Sequence, residues 1–220
     1  IYFGILTFIF IFNLFSFFAL RDKTALWYAG YVLTFGLLQI SLVGIGTHKL
    51  WSSNFIAERA NPFFASLSIL FLLHFTLDYL RMKSIMPFMY KVFRFFRIFI
   101  LVSIVFSVIP STLTYRISVV GINAITLMLN LAVIPIALYA VRAKLQEAKL
   151  FLLEFSVLSL TVFGFILKNF GILPSVFITD FGLQIGSALE AILLSIGIVL
   201  KYKSTRETAI ESLQTLNELI

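Results

Sequence analysis

The chain has 220 residues, 60% of them hydrophobic and only 12% charged, with 26 Phe and a formal net charge of +7. A soluble domain of this length could not cover its surface with so few charges, so the composition describes a polytopic membrane protein. The absence of cysteine excludes disulfides and thiolate chemistry, the well-separated His48 and His74 argue against a histidine metal site, and no cofactor is expected.

Seven apolar segments are long enough, or nearly so, to cross about 30 Å of hydrocarbon. The expected spans are 1–20, 25–46, 61–80, 98–114, 116–141, 150–170 and 179–200. The first lacks the basic start and the cleavage site of a signal peptide, so it is taken as a span. Arg21-Asp22-Lys23 is a tight turn that makes the second span antiparallel to the first. Residues 47–62 form a loop, and Asn61-Pro62 at its end opens the third span. In the basic connector 81–97, Lys91, Arg94 and Arg97 recur every three residues among Phe and Val. That spacing fits an interfacial helix, although ordinary positive-inside residues are the simpler reading. Pro135 lies well inside the fifth span and is expected to kink it.

Basic residues set the orientation. With the N-terminus outside, the outer segments hold only Lys49, Arg59, Arg116 and Lys168 of the 17 Lys and Arg. The positive charge is therefore a topology signal and an attraction to anionic lipid, with no nucleic-acid partner implied. Trp27 and Trp51 fall near opposite interfaces, where indoles prefer to sit.

The last span contains Gly182 and Gly186, a GxxxG pair that lets another helix approach closely. Glu190 lies four residues on, about 40° around the helix from Gly186, and so shares the small-residue face. An acid near mid-span costs roughly 3 kcal/mol unless it faces protein or water. Glu190 is thus expected to point into the bundle, protonated or paired with groups such as Lys168, Asn130 or Asn123. It acts either as a polar switch on this helix or as a static group that fixes its rotation. Asn13 and Gln39 are expected to hydrogen-bond between helices. Gln184 joins the buried polar set, and Lys49, Trp51, Arg59 and Lys168 are candidate contacts on the outer face.

After Lys201-Tyr202-Lys203 the pattern continues without Gly or Pro. Ala209, Leu213, Leu216 and Ile220 make a 4-3-4 apolar seam, the start of a coiled coil over 204–220. Residues 1–203 are the seven-helix domain, and its C-terminal helix continues into the cytoplasm. The seam implies a homodimer. The start at Ile1 and the running pattern at Ile220 are taken to mark a piece of a longer receptor.

Other classes fit less well. A retinal protein needs a Lys in the middle of the last span, which has none before Lys201. A transporter or channel for small solutes or ions would use Glu190, Lys168, Asn123, Asn130 and Gln184 as its path; this is the alternative reading, and no broken helices support it. An intramembrane hydrolase would need paired acids, but Asp78 and Asp180 lie toward opposite faces.

Several stretches together carry a resemblance. Asn13-Leu14-Phe15 precedes the Arg21-Asp22-Lys23 turn. Gln39-Ile40-Ser41-Leu42 leads to Gly44-Ile45-Gly46 and Trp51, and Arg59-Ala60-Asn61-Pro62 follows. Leu173-Pro174-Ser175 comes before LQIGSALE, Leu183 to Glu190. In this order, the chain resembles the seven-helix membrane domain of bacterial receptors with diverse intracellular signalling modules, the 7TMR-DISM family. The resemblance implies a non-enzymatic receptor domain in the bacterial inner membrane. It also implies an extracytoplasmic sensory domain before it and a kinase, diguanylate cyclase, phosphatase or nucleotide cyclase after it, as parts of the same chain.

Overall fold

The computed structural model describes all residues except 47–49, 52, 144, 170 and 219–220. Among the described residues there are helices and no strands. The helices are α1 (Tyr2–Leu20), α2 (Lys23–Leu42), α3 (Asn54–Tyr79), a short α4 (Met82–Ile85), α5 (Pro87–Val108), α6 (Thr112–Arg142), α7 (Gln146–Asn169) and α8 (Phe177–Glu218).

Local chemistry sets these boundaries. Arg21 takes the left-handed conformation (φ 52°) and its N–H closes α1 on the Phe17 carbonyl at 2.7 Å. Asp22 then caps α2 by accepting from the Thr24 N–H at 2.8 Å. Gly171, at φ +72°, ends α7 as a left-handed C-cap residue does, and Ile172 donates back to the Leu167 carbonyl. Thr179 Oγ1 accepts from the Val176 N–H at 2.9 Å as the chain turns into α8.

Three boundaries depart from the sequence expectation. The third helix begins at Asn54, because Ser53 caps it through the Ile56 N–H, and Pro62 sits inside the helix instead of at its start. The expected connector 81–97 holds the short α4 and the start of α5, which opens on Pro87 in its first turn and runs on through most of the expected fourth span 98–114 to end at Val108. Lys91, Arg94 and Arg97 therefore belong to the membrane-length helix itself, not to a separate interfacial one. Pro110 forces the break: Ile109 before it is extended (φ −73°, ψ 128°), and α6 starts at Thr112. α6 remains one helix of 31 residues through Pro135.

Among the described residues six helices are long and apolar enough to cross a membrane. α5 has the length, 22 residues, but Lys91, Arg94 and Arg97 fall in every 18-residue window of it, so it is not among the six.

Each long helix packs on the next in chain order, and α8 closes the ring by packing on α1 as well as α7. α3 reaches across to α6, and α2 touches α8. Small residues allow the closest approach. A Cβ on Gly30 of α2 would lie 2.6 Å from the Phe71 ring of α3. Buried rings run from α2 through α3 to α7: Tyr28 to Phe75 at 5.1 Å, Phe75 to Tyr79 at 5.0 Å, Tyr79 to Phe151 at 5.6 Å. Ser66, Ser103 and Ser118 join α3, α5 and α6 by hydroxyl bonds of 2.9 and 3.0 Å. The outer surface is apolar, with Phe8, Phe15, Phe95, Leu131 and Leu160 exposed, as a lipid-facing surface requires.

Candidate functional site: the inward face of the last helix

α8 buries one stripe. Leu183, Gly186, Ser187, Glu190, Ala191, Leu194, Ser195 and Ile198 are buried, while Ile185, Leu189, Ile192, Ile196 and Val199 are exposed. This is the 3.6-residue period of a helix with one protein-facing side. Of the GxxxG pair, only Gly186 is a point of close approach. A Cβ there would run into the Thr161 side chain of α7, whereas one at Gly182 would meet nothing within 4 Å. A further glycine, Gly197, is equally committed. Its missing Cβ would lie 2.8 Å from the Tyr79 hydroxyl and 3.3 Å from Glu154 Oε1.

Hydrogen bonds from the first two helices hold this stripe. The Tyr2 and Ser187 hydroxyls lie 2.9 Å apart. Asn13 Nδ2 donates to Ser195 Oγ at 3.0 Å and to its own helix at the Ile9 carbonyl. The Tyr28 hydroxyl donates to the Ala191 carbonyl at 3.2 Å. The Tyr31 hydroxyl donates to Glu190 Oε2 at 3.5 Å, the outer limit of a hydrogen bond, and Glu190 Oε1 has no partner among the described residues.

Glu190 is 1% exposed, and its contact is not among the groups expected from sequence. Lys168 pairs instead with Asp180, which also accepts from the Ser175 hydroxyl at 2.6 Å. Asn123 Nδ2 donates to the Val119 carbonyl of its own helix at 2.8 Å. Asn130 faces the space between α6 and α7. Gln184 is half-buried and offers its backbone carbonyl to Ser187. Gln39 is buried, with Nε2 unpartnered among the described residues.

A second acid lies inside the bundle. Glu154 of α7 is fully buried, and neither of its carboxyl oxygens has a hydrogen-bond partner among the described residues. The signal was the one used for Glu190, an acid inside an apolar run. Both carboxyl groups border the same aromatic core, Glu190 beside Tyr31 and Glu154 beside Gly197 and Tyr79.

The candidate outer residues separate into different roles. Arg59 lies over the rings of Phe55 and Tyr115 and donates to the carbonyls of Ser107, Ile109 and Ser111, so it ties α3 to the α5–α6 turn. Trp51 stacks on Phe64 at 5.7 Å and covers Gly46. Trp27, at the opposite end, donates to Asp78 at 2.9 Å and lies against His74. Lys49 and Ile220 lie outside the described residues, as do the side chains of Ala209, Leu213 and Leu216. Among the described residues no three His, Asp or Glu side chains converge as a metal site would need.

Compared with known families, residues 1–201 match the model of the family described as 7TM diverse intracellular signalling, 7TMR-DISM. The chain belongs to this family. No curated protein and no solved structure gives a match. As a 7TMR-DISM domain it is a multi-pass membrane protein and a transmembrane signalling receptor domain. The match takes in α1 to α7 and the membrane-length part of α8. It stops at Lys201, inside α8, which runs on to Glu218 without interruption.

Proposed function

We propose that this domain couples an extracytoplasmic sensory domain to a cytoplasmic output module of the same chain by displacement of α8. The reading takes the N-terminus as outside, α5 as a seventh crossing and the setting as the bacterial inner membrane. The output module would be a kinase, diguanylate cyclase, phosphatase or nucleotide cyclase, and the seam at Ala209, Leu213, Leu216 and Ile220 would bring two copies together.

One observation carries the proposal. α8 is a single helix of 42 residues whose membrane half is held by polar side chains of α1 and α2. A helix without a break transmits a shift or rotation along its whole length. Polar bonds at its buried face provide discrete positions to hold or release. Moving such a two-state equilibrium from 1:99 to 99:1 takes about 5.5 kcal/mol of differential binding. Repacking of one helix, together with a few buried polar bonds, is of that order.

The test uses the absence of cysteine from these 220 residues, with any cysteine elsewhere in the receptor replaced. In the full-length receptor, Asn13→Cys and Ser195→Cys would be joined through disulfides by a short bifunctional methanethiosulfonate and output activity followed before and after stimulation. Locking α1 to α8 is expected to freeze output at one level, with reduction restoring the response. An unchanged response with the crosslink complete would refute movement of α8. Single cysteines at Ala209, Leu213, Leu216 and Ile220, against Ser212 and Gln214, test the dimer seam; crosslinks are expected at the first set alone.

A further inference from the structure

Among the long helices described, α5 alone falls short of a crossing by composition, because it carries Lys91, Arg94 and Arg97. Direction nevertheless supports its reading as a crossing. Tyr2 meets Ser187, and Asn13, further along α1, meets Ser195, further along α8, so these two helices run parallel. Six alternating crossings would leave them antiparallel, and α5 as a seventh makes them parallel. Three cations then have to be accommodated along a helix in the bilayer.

The chain does not neutralise them. Lys91, Arg94 and Arg97 are spaced by three residues, at which helix side chains are neighbours and like charges repel. The sequence holds no Asp or Glu between Asp78 and Glu147, a stretch that covers α4, α5 and α6. Asp78 accepts from Trp27. Among the described residues no carboxylate pairs with any of the three, and Arg94 lies over the Tyr90 ring at 5.7 Å. Arg81 and Lys83 before α5 and Arg142 at the end of α6 only add positive charge at this end of the bundle. Lys91 and Arg94 are exposed and Arg97 is half-buried. The same side of the helix exposes Phe95, Ile98, Val102 and Val105.

Beyond Arg97 the helix is short. Ile98 to Val108 spans about 16 Å at 1.5 Å per residue, roughly half of a hydrocarbon layer of about 30 Å. A crossing with so short an apolar run places Arg94 and Arg97 below the headgroup plane of a flat bilayer.

We infer that the start of α5 is a binding site for an anionic phospholipid, its phosphate drawn inward onto Arg94 and Arg97 and its acyl chains along Ile98, Val102 and Val105. A free phosphate would meet the charges and leave the apolar side unmatched. An acidic protein surface in the aqueous phase would reach Lys91 but not cations within the depth of the hydrocarbon. A lipid supplies both parts, charge and chain. With its charges matched, α5 completes a crossing that its composition alone opposes. The depth of the site rests on the reading of α5 as a crossing.

The experiment uses the full-length receptor in phosphatidylcholine nanodiscs. A phosphatidylglycerol with a diazirine on one acyl chain is compared with a phosphatidylcholine carrying the same chain, each as a minor component. After irradiation, adducts are mapped by mass spectrometry. The ratio of anionic to zwitterionic labelling is expected to be about fivefold higher at Ile98, Val102 and Val105 than at Phe8 and Leu160, the factor one cation near an anionic surface gives. Arg94→Gln with Arg97→Gln should bring the ratio down to that at Phe8, and Arg94→Lys with Arg97→Lys should keep it raised. An equal ratio on all faces, or an excess that survives the glutamines, would overturn the site. So would loss of the excess on adding glycerol phosphate, because a free anion would then suffice. Should the double glutamine variant fail to fold, Arg97→Gln alone, expected to lower the excess at least twofold, decides together with the wild type. In sealed vesicles, Ser111→Cys is expected to react with an impermeant maleimide from the side opposite to Lys83→Cys. Reaction from the same side would refute the crossing and with it the inward phosphate. An even lipid ratio with Ser111 on the opposite side would refute the lipid site alone, so the two failures are distinguishable.

Discussion

The Tyr31 hydroxyl is 3.5 Å from Glu190 Oε2, and the same residue lines the space between α2, α3, α6 and α7. One side chain thereby borders both that space and α8. Tyr31 is 3% exposed and Glu190 1%, so neither has water as a substitute partner.

Tyr31→Phe removes the donor and leaves both carboxyl oxygens of Glu190 unsatisfied. The expected cost is about 0.5–1.5 kcal/mol, the range for hydrogen bonds between membrane helices. It can be measured by reversible unfolding in mixed micelles. In a Glu190→Leu background the same substitution should cost little. An unchanged cost there would mean that the hydroxyl stabilises the fold through another contact.

Glu154→Leu should stabilise the domain. The acid is fully buried and its oxygens find no partner among the described residues, so an apolar side chain of similar size relieves about 1–3 kcal/mol. At about 2–4 °C per kcal/mol for a chain of this size, the melting temperature should rise by several degrees. Glu154→Gln, still polar, should gain less. A fall in Glu154→Leu would reveal a carboxyl interaction that matters to the folded state.

The glycines of the GxxxG pair should behave oppositely. Gly182→Ala meets open space and gains helix propensity, so it should be neutral or stabilising by up to about 1 kcal/mol. Gly186→Ala collides with Thr161, whose Cβ is 2.8 Å from the new atom, and should cost about 1–3 kcal/mol. Thr161→Ala should recover only part of that, because the Cβ stays. Thermal unfolding of the singles and the double separates these outcomes.

Arg59→Lys keeps the charge but loses the planar fork that reaches three carbonyls of the α5–α6 turn. Hydrogen exchange at Ser111 and Thr112 should quicken, with the α8 amides unaffected. Unchanged exchange at the turn would show that the aromatic neighbours Phe55 and Tyr115 hold Arg59 without it.

Much of the bundle could be read from the chain, because apolar length and turn chemistry are local. The Arg21-Asp22-Lys23 turn between α1 and α2 is a property of a few adjacent residues. The same holds for the angle between Gly186 and Glu190, which places both on one face. The start of α3 was missed because Asn61-Pro62 looks like a helix opening, while the cap at Ser53 competes for that role and prevails. α5 was misplaced because three cations looked like a connector, although a helix continues through them and stops only at Pro110. Partners were the least legible. Which face of α2 turns toward α8 is set by the packing of the whole ring, so Tyr31 could not be chosen over Lys168 for Glu190 from spacing alone. Likewise Gly182 and Gly186 are alike in sequence and differ only in what α7 places beside them.

The bonds that hold α8 also impose an order on biogenesis. Tyr2, Asn13, Tyr28 and Tyr31 are made first, and their partners on α8 follow 159–185 residues later. Until α8 is inserted, those early side chains sit in the bilayer with their bonds unmet. A nascent or truncated chain lacking α8 would therefore expose polar groups to lipid, a mark by which membrane quality control can tell an incomplete bundle from a finished one.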